Sequence, residues 1–228
     1  MITGELTRYA LSMQCLHGLR APGGSVCSWQ TGVLIAKSLN NAFQAVMDNP
    51  ALQWAWVMGD DHIFDPLCLI RLLDRNVDVV APFCLNRLPP FDPTIVDHSK
   101  KRMKYLEEMP ATGLYQLQKH ETCGDAGLLL RRNVLEATGP VWYDSRKSGA
   151  IAAEDQAFVR KIHDTGFDVH YDLDNHIGHL ANVNVFPVRK GDSWEVRLTG
   201  GAESRHVCDL GVIPRADDAY RISGEAAE

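Results

Sequence analysis

The chain has 228 residues, 45% of them hydrophobic and 23% charged, with a formal net charge of -6. Those proportions exclude a wholly disordered or fibrous chain and fit one large globular domain. The acidic balance disfavours non-specific nucleic-acid binding, which needs clustered Lys and Arg. No apolar run approaches the ~20 residues of a membrane helix, and the N-terminus MITGELTRYALSMQCL lacks the pattern of a signal peptide.

Residues 5–19 read as a helix, with Leu6, Tyr9, Leu16 and Leu19 roughly on one face. Ala21 to Gly24 is a turn, and a second helix spans 32–47, ended by Asp48-Asn49-Pro50. The apolar run 52–58 predicts a buried strand, Asp65-Pro66 opens a helix, and Val77 to Pro82 predicts another strand. Residues 52–82 therefore predict a βαβ unit of an α/β fold. Residues 86–122 are polar, Pro-rich and irregular in pattern, as expected of a functional or mobile loop. A strand at 127–130, helices at 133–138 and 151–165, and a strand at 167–173 follow, with a hairpin in 193–213 and a frayed tail from 216.

Six cysteines are scattered without a CxxC pair, which predicts reduced, mostly buried thiols and a cytoplasmic setting. A catalytic cysteine would need a histidine partner that spacing alone does not reveal.

Four segments carry chemistry. Asp60 and Asp61 follow an apolar strand, where ligands of open α/β sheets bind, and carboxylate oxygens there suit a hard divalent cation. Asp65 already serves the following helix start, so Asp60 and Asp61 are surplus to capping. Glu154 and Asp155 open the 151–165 helix, where the dipole stabilises carboxylates and a general base is well placed. His176 and His179 follow a strand and are candidate metal ligands. Gly124 and Gly127 in Cys123-Gly-Asp-Ala-Gly would let backbone approach a ligand closely.

In this order the segments WAWVMGDDHIFDPLCLIRLL, CGDAGLLLRR, AAEDQAFVRKIHDTGF and HIGHL resemble the family 2-like nucleotide-diphospho-sugar transferases of the GT-A fold, over residues 32–187. The resemblance implies a mixed, mostly parallel central sheet flanked by helices in a catalytic domain at 1–187, with a C-terminal hairpin extension and flexible tail at 188–228. Family members open with a strand and a proline-containing loop that bind the base; residues 1–4 are too short for that strand.

The implied activity is transfer of a sugar from a nucleoside-diphosphate sugar to an acceptor hydroxyl, inverting the anomeric carbon, with Mn²⁺ or Mg²⁺. Asp155 of the Glu154-Asp155 pair is the implied base. Asp61 and His179 are the implied metal ligands. In one register the family's Asp-x-Asp element falls on Gly59 to Asp61, its first position changed to Gly. In another, Asp60-Asp61-His62 forms a D-x-H element, leaving Asp60 or His62 to assist Asp61. The Gly124–Gly127 turn would line the donor sugar, and Lys37, Asn40 and Asn41 would approach the donor nucleotide. The acceptor is open among a glycan, a lipid-linked sugar, a protein and a modified DNA base, the last suggested by Lys100, Lys101, Arg102 and Lys104. Rival readings are a sugar-nucleotide nucleotidyltransferase and a non-catalytic sugar-nucleotide or glycan-binding relative.

Overall fold

The structure is a computed structural model, described for residues 6–28, 35–87, 90–144, 154–180, 183–200 and 207–208. Its elements in chain order are α1 (Leu6–Gly18), α2 (Ile35–Asp48), β1 (Trp54–Trp56), β2 (His62–Phe64), α3 (Cys68–Asp74) and β3 (Val79–Phe83). After them come β4 (Ile95–Asp97), β5 (Arg102–Met103), a 3₁₀ turn at Leu106–Glu108, β6 (Leu114–Gln116), β7 (Glu121–Cys123) and β8 (Leu129–Arg131). The chain continues through α4 (Arg132–Thr138), α5 (Glu154–Asp164), β9 (His170–Leu180), β10 (Val183–Lys190), β11 (Ser193–Gly200) and β12 (Val207–Cys208). Residues 1–4, read as too short for the family's first strand, and the tail from 216 lie outside the described residues.

Nine strands form one sheet in the order β1-β8-β3-β9-β10-β11-β12, with β2 and β6 also paired to β9. Side chains alternate across β3. Val79, Ala81 and Phe83 join a core with Phe43 of α2, Val134 of α4 and Phe158 of α5. Val80, with Cys84 just beyond the strand, joins the opposite core with Cys68, Leu69 and Leu72 of α3. Leu16 of α1 packs on that second core. Burial on both faces explains the unbroken apolar run at 77–82.

The predicted mostly parallel sheet is corrected. β3 and β9 are the one parallel hydrogen-bonded pair among the described residues. β1 and β3 do run the same way on either side of α3, as a βαβ unit requires. However, β8 inserts between them, antiparallel to both. Alternation in sequence cannot show an inserted strand, because β8 has the same apolar character as a parallel neighbour.

The 86–122 segment is also corrected: it is not irregular. β4, β5 and β7 make a three-stranded sheet, and its polar residues pair with one another. Lys104 donates to Glu121 at 2.7 Å and to the Tyr115 hydroxyl at 2.8 Å. Arg102 and Lys100 both bind Glu108. Three of the four basic residues that suggested DNA are thereby committed to internal carboxylates. The expected hairpin is seen as β11 against β12. A longer pairing, β10 against β11 from Val183↔Gly200 to Lys190↔Ser193, precedes it, so position 188 falls inside a strand.

β9 is the strand that organises the site. Its pairing with β3 jumps from Pro82↔Asp172 to Phe83↔His176. The bulged residues are gripped from outside. Arg75, just past α3, forms a two-pronged bridge to the buried Asp172 at 2.9 and 2.7 Å and reaches Asp174 at 2.9 Å. Arg189 of β10 also donates to Asp174 at 3.0 Å. Among the described residues no helix is long and apolar enough to cross a membrane.

Asp172 is fully buried whereas the Lys119–Asp168 pair is exposed at both ends. Removing one partner of a buried pair leaves an uncompensated charge, while exposed pairs contribute little. Urea denaturation should show Arg75→Ala losing about 3 kcal/mol and Lys119→Ala less than about 0.5 kcal/mol.

Candidate metal centre and adjoining carboxylates

β2 and the far half of β9 are antiparallel, with His62 directly opposite His179. Their imidazole rings stack with centroids 4.7 Å apart and planes 22° apart. The turn before β2 folds Asp61 back over them, held by the Leu180 amide donating to the Asp61 carbonyl at 2.7 Å. Asp61 Oδ1 lies 3.0 Å from His62 Nδ1, and Oδ2 lies 3.4 Å from His179 Nε2. Arg87 reaches Oδ2 at 3.2 Å. His179 Nδ1 faces the Leu85 carbonyl at 3.0 Å. With Nδ1 on that carbonyl, Nε2 is the ring nitrogen turned toward Asp61.

Cys84 follows β3 and is fully buried. Its sulfur, one His62 nitrogen and one His179 nitrogen all lie within 4.8 Å of one another. Charge sharing follows. Burial opposes ionisation of Asp61, but His179 and His62 override it and hold the carboxyl below its usual range. Burial disfavours imidazolium, yet Asp61 and Cys84 raise His62 to about 10 and His179 to about 9. Burial raises the Cys84 thiol, but the two imidazoles bring it down to about 7.

A second group of carboxylates adjoins it. Asp155 sits in the first turn of α5, and burial, with Asp125 beside it, raises its carboxyl to about 7. Burial also raises Asp125, which accepts from the Tyr143 hydroxyl at 2.9 Å. Asp125 feels the charges of His62 and Asp61 as well, so it links the two groups electrostatically.

The structure brings Asp61, His62 and His179 together. Asp60 is half-buried in the same turn, and Glu154 opens α5 beside Asp155, adding to the repulsion that raises it. His176 is directed elsewhere: three residues from His179 on a strand, it packs on Phe83 and Trp194. Asn40 is committed to structure, accepting from the Trp142 and Tyr143 amides and donating to the Tyr143 carbonyl. Lys37 and Asn41 are exposed on α2. Gly124 leaves room for Asp155, whose Oδ2 would be 3.3 Å from an added Cβ. Gly127 has φ 71°, and a Cβ there would meet Pro82 at 2.5 Å, so backbone packing requires this glycine.

Gly59 has a steric reason. An added Cβ would lie 2.8 Å from Asp61 Oδ1 and 2.9 Å from His62 Nδ1. A side chain at the first position of the Asp-x-Asp register is incompatible with the cluster as built. That favours Asp61 with His62 over the Gly59-to-Asp61 register.

Sequence reasoning missed Cys84, Asp125, Tyr143 and Arg87 as site residues. Cys84 was accessible to the rule that ligands gather beyond strand carboxyl ends. Asp125 lay inside the quoted CGDAG segment.

The donor set fits a divalent ion. Asp61 supplies oxygen and His179 an imidazole, which suits Mn²⁺ better than Mg²⁺, since Mg²⁺ favours oxygen alone. A second group, Asp97, His120 and Glu121, has comparable spacing. Its carboxylates are already occupied, Asp97 by Ser99 and Lys100, Glu121 by Lys104 and Tyr115.

No family model matches the chain, and no curated protein matches it. Among solved structures it is similar to the crystal structure of A197 from STIV. That likeness has TM-score 0.51 and 13% identity, and covers 77% of this chain and 81% of A197. It supports the mixed α/β fold and carries no functional information.

Because Gly59 has no space for a Cβ, Gly59→Ala should displace Asp61 and His62 and weaken divalent-ion binding by about 10- to 100-fold. Isothermal titration with Mn²⁺ and Zn²⁺ measures this, with circular dichroism showing the fold retained.

Proposed function

We propose that the chain is a metal-dependent glycosyltransferase of GT-A type, moving a sugar from a nucleoside-diphosphate sugar to an acceptor hydroxyl. The observation that carries this reading is the pairing of a cation-ready cluster with a half-buried carboxylate raised to about 7, linked through Asp125. Diphosphate departure and hydroxyl deprotonation need those two functions respectively. The sheet with helices on both faces supports the GT-A assignment, as does the order of the four sequence segments.

Asp61 and His179 would hold the ion, with His62 assisting. Bound there, a divalent ion supplies Lewis-acid neutralisation of charge growing on the leaving diphosphate. Arg87 adds a cationic guanidinium beside Asp61 on the exposed side. Asp155 takes the acceptor's hydroxyl proton as that oxygen bonds to the anomeric carbon. The bond from this carbon to the diphosphate oxygen breaks, and the nucleoside diphosphate leaves with its electron pair. One displacement inverts the centre. Asp125, held by Tyr143, keeps Asp155 basic enough to accept a proton near neutrality.

Asp155→Asn should lower transfer by about 10²-fold or more while leaving donor binding nearly unchanged. Wild-type transfer at saturating donor should rise about tenfold per pH unit below about 7 and level off above it. The sign for stability is opposite. A carboxyl raised in the folded state costs stability once pH exceeds its unfolded value, with the full cost above about 7. Asp155→Asn should therefore raise the melting temperature more at pH 8 than at pH 4. Wild-type turnover by Asp155→Asn would overturn the base assignment.

A further inference from the structure

The thiol in the cluster changes which ion the site selects. Cys84 lies with its sulfur within 4.8 Å of a nitrogen of each imidazole, on the face of β3 turned toward α3. His62 is 6% exposed, and neither of its ring nitrogens has a hydrogen-bond partner among the described residues. Its 3.0 Å approach to Asp61 lacks hydrogen-bond geometry. A buried polar group in that condition is destabilising unless something occupies it. His179 has the opposite arrangement: Nδ1 is anchored on a backbone carbonyl and Nε2 is turned inward, as ligating histidines are commonly oriented.

We propose that His62, Cys84 and His179, with Asp61 as fourth ligand, form a soft-donor site whose resident ion is Zn²⁺. Thiolate and imidazole favour zinc over Mg²⁺ and Mn²⁺, which prefer oxygen. The ligands come from β2, the end of β3 and β9, three segments already fixed by the sheet. A tetrahedral zinc sets its ligand atoms about 3–4 Å apart, so the 4.8 Å span closes by about 1 Å on binding. Asp61 is the most exposed of the four, its side chain 22% accessible against 15% for His179, so it forms the face an incoming phosphate meets. The inference deepens the transfer reading by naming the ion of the same pocket. The binding itself needs no sugar nucleotide.

The test uses the full chain, stripped of metal by a chelator and titrated with Co²⁺ as a spectroscopic substitute for zinc. One Co²⁺ per chain should bind, with an intense near-ultraviolet thiolate-to-cobalt charge-transfer band and visible bands of tetrahedral strength. Zn²⁺ should abolish the bands; a ~100-fold excess of Mg²⁺ or Mn²⁺ should not. Cys84→Ser should lose the charge-transfer band and weaken zinc binding by about tenfold or more, while Cys27→Ser, at an exposed thiol, should keep both. The wild-type spectrum decides the matter even if Cys84→Ser does not fold. Octahedral bands without charge transfer, or displacement by Mn²⁺, would overturn the zinc site and leave an oxygen-preferring transferase centre standing. Zinc bound through Cys84 with no transfer from any nucleotide sugar would keep this site and sink the transfer reading.

Discussion

The register jump in β9 is the constraint on which the rest depends. In its first half β9 runs parallel to β3 and completes the core sheet. After residues 173–175 it continues in a new register, which sets His179 opposite His62 on β2. The jump persists because Arg75 and Arg189 neutralise Asp172 and Asp174 at the bulge. Bulges re-aim side chains beside functional sites at a local cost in pairing. Here the cost is offset by an ion pair whose carboxylate is fully buried.

Electrostatics then divides the site into two groups. Asp61 lies between two imidazoles and is held ionised, while the half-buried Asp125 and Asp155 are both pushed toward the neutral form. One group favours a cation, and in the other the Asp155 carboxyl is raised to about 7. Groups pushed in opposite directions by their surroundings are a mark of acid–base and metal chemistry, although structural ion pairs shift pKa values too. The Lys104–Glu121–Tyr115 network shows the structural kind, with each polar atom already partnered.

Much of this was legible in the sequence, and the failures have physical causes. Helices α2, α4 and α5, strands β1 and β3 and the first part of β9 were readable because their apolar periods match their burial, whereas residues 174–180, expected to follow a strand, continue β9. The antiparallel direction of β8 was not distinguishable, since pairing direction leaves no trace in a three-residue strand. The small sheet in 86–122 was hidden because its strands are two or three residues long and rich in charge that pairs internally. Asp61, His62 and His179 could be named from motif order. Cys84 could not be joined to them, because strands distant in sequence become neighbours only through the β9 register. Asn40 illustrates the reverse error: a polar residue on an early helix resembled a ligand contact, yet it ties α2 to Trp142 and Tyr143.

The direct test of a diphosphate-binding metal centre is thermal unfolding with a panel of nucleoside diphosphates and nucleotide sugars, each with Zn²⁺, with Mn²⁺ and with chelator. A ligand that binds the folded chain raises its melting temperature by mass action. A rise for one nucleotide that requires the ion and vanishes in His179→Ala is the predicted result. Unfolding unmoved by every nucleotide, or moved equally in chelator, would contradict it.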